Sequence, residues 1–256
     1  MWRRVLLSLL LLVCLPLRAA ELLLYTEEGP PFNFTRDGQL TGYAVEVVQE
    51  MLRRSGDKAR IEVVPWSRGY ALAREEANVG LFSMARIAER EGLFQWVGPF
   101  MITQNRFYTR KGSNLKIASL DQARGLRIAL PRQWYSLQYL ASRGFSDIFA
   151  VSSPAKMVSL FSKGRTDVLA VSDISLPMLL AEAGMRPEQV EAQFSFLRHQ
   201  SYLGFSPATD PALVARWQAA LDDMKRDGSF GRIYQHWFSH LPMPDGLLQP
   251  ALMADD

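Results

Sequence analysis

In SMARIAEREGLFQWVGPF, residues 83–100, Arg86, Glu89 and Arg90 crowd one turn and a sharply apolar, aromatic segment follows at once. Charges beside buried aromatic rings cost several kcal/mol unless they are paired. Arg90 is therefore a structural tether, a catalytic group or a hook for an acidic ligand, and residue type alone leaves all three open. Other chemistries find less support. The histidines are His199, His236 and His240. The last two have the i, i+4 spacing of a helical metal pair, but no Glu-rich motif accompanies them, and a solvent-facing pair on an amphipathic terminal helix is the better reading. No Gly-x-Ser-x-Gly, phosphate loop or dinucleotide fingerprint occurs. No catalytic residue, metal or cofactor is assigned.

The N-terminus changes the electrostatics of the chain. MWRRVLLSLLLLVCLPLRAA has a basic start, an apolar run from Val5 to Leu17 and a small-residue exit at Ala19–Ala20. This is the layout of a cleavable secretory signal peptide, residues 1–20, and the run is short for a membrane span. It predicts a periplasmic protein. The full chain carries net charge +3 from 29 Lys and Arg against 26 Asp and Glu. Loss of Arg3, Arg4 and Arg18 leaves 26 basic residues against 26 acidic, which removes the main support for a nucleic-acid partner. The one cysteine, Cys14, leaves with the leader, so no disulfide is expected.

The elements that must position Arg90 follow an alternating order. LLLYT (22–26) reads as a buried strand. GYAVEVVQEMLRRSG reads as a helix with Val45, Val48 and Leu52 on one face and its stop at Gly56. RIEVVPW (60–66) reads as a strand, SRGYALAREEA as a helix and NVGLFSM (78–84) as a strand, the β-α-β-α-β order of an open parallel sheet. A second run follows residue 105: RFYTR, a short helix from Ser119 to Gly125, LRIAL, SLQYLASRG and DIFAV. A helix then opens on Ser153 and Pro154, and DVLAVS (167–172) is a buried strand before a helix in LPMLLAEAG. Two helices close the chain, the first capped by Asp210 and Pro211. Two α/β lobes are the economical reading, and ligands of such sheets bind at the carboxyl ends of strands.

Four segments in order resemble one family. LLLYTEEGPPFNF with DGQLTGYAVEVVQEM, NVGLFSMARIAEREGLFQWVGPF, KGRTDVLAVSD and RWQAALDDMKRDGSFGRIYQHWF are similar to the family 3 extracellular solute-binding proteins, the type II periplasmic amino-acid-binding clamshells. The resemblance implies two lobes joined by two hinge crossings, near 100–104 and 200–205. Lobe 1 would be discontinuous, residues 21–101 plus 204–256, and lobe 2 would be residues 105–200. A solute is held between lobes that close by hinge bending.

The same resemblance assigns expected ligand contacts. Arg90 stands where the family holds a ligand carboxylate, which a guanidinium matches with parallel N–H donors; its alternative is an exposed salt bridge to Glu89 or Glu91. Ser83 is a polar contact or a buried hydroxyl, and Ala85 and Ile87 replace the family's small hydroxyls, leaving the Ala85 N–H as a donor. Arg86 adds positive charge or is solvated. Trp66 is a wall over the ligand or a core residue at a strand end, and Arg68 points into the cleft or into solvent. One of Glu27 and Glu28 is expected to face the cleft. In the second lobe PRQWYS replaces a Gly-Thr-like nest, so Trp134 and Tyr135 would line the cleft. The amine-binding Asp is expected at Ser172, with Asp173 one residue further and on the other face of a strand. These departures put an α-amino-acid ligand in doubt.

The expectation is a monomeric periplasmic binder of a small polar, carboxylate-bearing solute, serving an ABC permease or a membrane sensor. The alternatives are a cyclohexadienyl-dehydratase-like enzyme, with Glu27, Glu28 or Asp173 as its acid, and a sensor or scaffold lobe without ligand.

Overall fold

The computed structural model describes residues 21–239 and 241–249. The expected leader and His240 lie outside the described residues. β1 (Leu22–Thr26), β4 (Ala59–Val63) and β5 (Val79–Ala85) are parallel neighbours, and a small hairpin of β2 (Phe34–Arg36) and β3 (Gln39–Thr41) precedes helix α1 (Tyr43–Ser55). Helix α1 begins after Gly42, whose φ of 126° suits a residue without Cβ, and stops at Gly56 in the left-handed region. Val45 and Val48 are buried along it, as their spacing predicts. Helix α2 (Trp66–Glu75) joins β4 to β5.

Two long strands link this half to the next. β6 (Gln95–Arg110) and β10 (Val190–Phe205) each run for 16 residues, antiparallel to one another along their length. Midway along this pair His199 lies opposite Thr103 and Ser201 opposite Met101. Beyond it come α3 (Leu120–Ala123), β7 (Ile128–Pro131), α4 (Tyr135–Ser142), β8 (Ile148–Val151), α5 (Pro154–Ser162), β9 (Val168–Ser172) and α6 (Leu176–Glu182). α7 (Pro211–Arg226) and α8 (Ser229–Phe238) pack back on the first half. The sheet order is β4-β1-β5-β10-β6-β9-β7-β8.

The buried residues fall into three groups. α1, α7 and α8 cover one face of the first half around Tyr43, Trp217 and Tyr234, and α2 covers the other around Tyr25, Leu81 and Phe94. Phe107, Leu130, Phe161 and Leu169 centre the core of the second half. Ordinary apolar burial drives each group, and polar anchors orient it. The Trp217 Nε1–H donates to Asp57 at 2.8 Å, and the Tyr43 hydroxyl donates to the Phe100 carbonyl at 2.8 Å.

Three local readings need correction. The strand of 60–66 stops at Val63, because Pro65 (φ −55°) stands at the head of α2, so Trp66 opens a helix rather than ending a strand. QWVGPF and RFYTR are parts of one strand, β6, and Phe94 precedes it. β10, with register shifts between Ala192, Ser195 and Leu197 and again between Ser201 and Leu203, breaks the alternation by which strands are read and makes the sheet mixed rather than parallel.

Candidate functional site

A cavity of about 160 Å³ lies where the turn after β1, the end of β5, the middle of the β6–β10 pair and the starts of α4 and α6 converge. Its lining includes Glu27, Trp66, Ser83, Ala85, Arg90, Trp134, Tyr135 and Ser172, all singled out in the sequence. The structure thus brings together residues separated by up to 145 positions, from Glu27 to Ser172.

Arg90 sits in a 3₁₀ turn (Ala88–Leu93) between β5 and β6 and is 7% exposed. Its Nη1 donates to the Ala85 carbonyl at 3.2 Å, and its guanidinium carbon lies 5.2 Å and 5.5 Å from the ring centroids of Trp66 and Tyr70. Among the described residues, no carboxylate approaches it within 4.0 Å. The expected alternative, a salt bridge to Glu89 or Glu91, is not formed; Glu91 is held by Arg86 instead, whose Nε donates at 2.8 Å. Burial pushes the Arg90 pKa down, and Tyr70 chiefly opposes it. Arginine stays charged regardless, so the cavity holds a cation that donates to the Ala85 carbonyl and is flanked by the rings of Trp66 and Tyr70.

The other walls tune this charge. Burial pushes the Glu27 carboxyl up to about 7, and the Arg90 charge offsets part of that rise. Glu28 also lines the cavity, but its carboxylate accepts from the Thr35 N–H at 3.0 Å and from the Thr35 hydroxyl at 2.5 Å. Ser83 has φ of 63°, a left-handed conformation rare for residues with a Cβ, and its hydroxyl donates to Asn33 Oδ1 at 2.5 Å. Asn33 in turn donates to the Glu27 carbonyl. Ser172 accepts from the Ser175 N–H at 3.1 Å and holds the turn into α6.

Three expected contacts stand elsewhere. Arg68 is exposed on α2. Arg86 pairs with Glu91 and stacks on Trp96 and Tyr202, with its guanidinium carbon 5.7 Å and 5.2 Å from their centroids. Asp173 accepts from Arg106 Nε at 2.8 Å and from the Tyr108 hydroxyl at 2.6 Å, and is not among the residues lining the cavity. The half-turn beyond β9 aims it at β6 and leaves Ser172 at the cavity.

Sequence reading missed His199, Thr103, Asn105, Asn33 and Ser201, which all line the cavity. His199 lies within 3.0 Å of the Thr103 hydroxyl and 3.4 Å of Asn105 Nδ2. Burial first and the Arg90 charge second hold its imidazole down to about 4, so it is neutral at physiological pH. The signal for these residues lay in register: once β6 and β10 are paired, His199 and Thr103 are cross-strand partners.

Residues 22–240 match the model of the bacterial extracellular solute-binding proteins, family 3. The L-cystine-binding protein TcyJ of Escherichia coli (strain K12) is 23% identical over 218 residues, covering 82% of this chain and 79% of that protein. Among solved structures, a histidine kinase sensor domain with similarity to periplasmic binding proteins superposes with TM-score 0.79 at 20% identity, covering 89% of this chain and 99% of that one. The arginine-, lysine-, histidine-binding protein ArtJ from Geobacillus stearothermophilus gives TM-score 0.76 at 16% identity, covering 90% and 100%. With a family match that spans the chain from the first strand to the last helix, on the α/β fold those structures share, this protein belongs to the bacterial extracellular solute-binding proteins, family 3.

Proposed function

We propose that the chain captures a small carboxylate-bearing solute, an amino acid or a close relative, between two lobes, residues 21–101 plus 204–256 and residues 105–200. One observation carries this: Arg90 is buried with no carboxylate within 4.0 Å among the described residues, Glu27 acting on it only from across the cavity. A buried guanidinium with no ion pair at contact distance is costly, and a ligand carboxylate arriving there supplies two parallel charge-assisted hydrogen bonds. Glu27, Asn33, Ser83, Thr103, His199 and Ser201 supply the remaining polar groups. Glu27 and Glu28 are the carboxylates of the cavity lining, and Glu27 takes the place of Asp173 as the acceptor for any ammonium group. The solute-loaded form is presented to a membrane partner, an ABC permease or a sensor, from the periplasmic side; the names of an amino-acid ABC transporter-binding protein and a histidine kinase sensor domain among the relatives, and the basic, apolar leader, support this.

A thermal-shift panel of amino acids, hydroxy acids and other small carboxylates tests this. A ligand at 100 to 1,000 times its Kd stabilises by roughly 3–4 kcal/mol, several degrees in Tm for a chain of this size. A flat response across the panel favours the ligand-free scaffold reading instead. The second reading, an acid-catalysing enzyme of the dehydratase kind, draws on Glu27: a carboxyl half-protonated near neutrality in a cleft beside an arginine can donate a proton. Product formed from a prephenate- or arogenate-like substrate, and lost in Glu27→Gln, would establish it.

A further inference from the structure

A second cavity, of about 390 Å³, adjoins the first and shares Trp66, Arg90 and Tyr135 with it as a common wall. Its remaining lining is Tyr70, Ile87, Glu89, Gln138, Tyr139 and Ser142. Four aromatic rings therefore surround it, and they come as two helical i, i+4 pairs. Trp66 and Tyr70 stand on α2 with centroids 5.9 Å apart, and Tyr135 and Tyr139 stand on α4 with centroids 6.4 Å apart. Residues four apart share a helix face, so each helix presents a double aromatic surface to one gap. The inner cavity alone is smaller than the roughly 300–1,000 Å³ usual for small-molecule sites, and the outer one is large enough to hold part of a ligand.

Resting on the carboxylate reading above, we propose that the solute is two-ended: its carboxylate and polar head occupy the inner cavity at Arg90, and an uncharged aromatic group lies between the Trp66–Tyr70 and Tyr135–Tyr139 pairs. The lining selects that chemistry. Ring faces and edges favour another aromatic ring in offset or edge-on packing. A cationic tail would meet the Arg90 charge, whose guanidinium already lies over Trp66 and Tyr70. Two more cations already stand on these rings, Arg74 5.8 Å from the Tyr70 centroid and Arg143 5.2 Å from that of Tyr139. An anionic tail would face the negative ring faces and Glu89. Polar side chains other than Arg90, namely Glu89, Gln138 and Ser142, are exposed, which makes a wet rim around an aromatic centre.

The test is calorimetric titration of two matched pairs, L-alanine against L-tryptophan and lactate against phenyllactate, into the full mature chain. Each pair keeps its head and changes only its tail, and the two pairs cover heads with and without an amine. The aromatic member of at least one pair should bind tenfold or more tightly than its partner. Ser142→Trp, at an exposed helix position on the outer cavity, should erase that preference by filling the gap. Equal affinities within both pairs, or a preference that survives in Ser142→Trp, would overturn the outer site and leave the Arg90 reading standing. Binding of none of the four by the unmodified chain would overturn this proposal, and a flat response to the wider carboxylate panel would remove the reading beneath it.

Discussion

At the scale of single residues, the cavity is a set of groups whose charge states are set by burial around one fixed cation. Glu27 and His199 make this measurable, because their effects on stability run in opposite directions. Glu27 has its carboxyl raised to about 7, so the folded chain holds a proton that the unfolded chain releases, and stability falls as pH rises from about 4.5 to 7. His199 is lowered to about 4, so the unfolded chain takes up a proton that the folded chain refuses, and stability falls as pH drops from about 6.5 to 4. In the ligand-free protein Glu27→Gln should remove the loss on the alkaline side, worth at most about 3 kcal/mol, and His199→Gln should unmask it. Tm profiles between pH 4 and 8 check both, and unchanged profiles in both variants would contradict the buried placement of these groups. Arg90 was legible as a residue of the cavity because its motif resembles the family's; His199 was not, since one histidine in an irregular strand carries no periodic signal.

At the scale of elements, the cavity depends on turns whose geometry excludes ordinary side chains. Gly42, with φ of 126°, would place a Cβ 2.3 Å from the Phe32 carbonyl oxygen, and the Phe32–Asn33 turn lines the cavity. Gly42→Ala should therefore lose roughly 1–3 kcal/mol and weaken solute binding together, as read by denaturant midpoint and titration. Asp173 behaves differently, because it ties β9 to β6 through Arg106 and Tyr108 and stands outside the cavity. Asp173→Asn should lower stability by about 1–3 kcal/mol with solute affinity unchanged; a large loss of affinity at normal stability would return it to the site. The helices and parallel strands of the first half were legible from apolar spacing and glycine stops, as in α1. β10 was not: its register shifts at Ala192, Ser195 and Leu203 break the two-residue period, and its pairing depends on β6, about 90 residues away. The family resemblance supplied the return of the chain to the first half, which periodicity could not.

At the scale of the molecule, the β6–β10 pair carries the argument, since it passes from one core to the other and holds Thr103, Asn105, His199 and Ser201 at the cavity between them. If the two cores are lobes that close on solute, small-angle scattering should show a smaller radius of gyration with ligand than without, and an unchanged radius would argue for a preformed, rigid cleft. Whether Arg90 is buried for a ligand rather than for the fold is decided by Arg90→Met, followed by calorimetry with a carboxylate solute that the unmodified protein binds. The expected result is a ligand-free Tm close to that of the unmodified protein, because the cost of burying the charge offsets what its Ala85 hydrogen bond and two ring contacts supply, together with loss of measurable solute binding. A structural Arg90 would instead cost about 3–5 kcal/mol of stability when removed, and that result, or solute binding preserved in Arg90→Met, would contradict it.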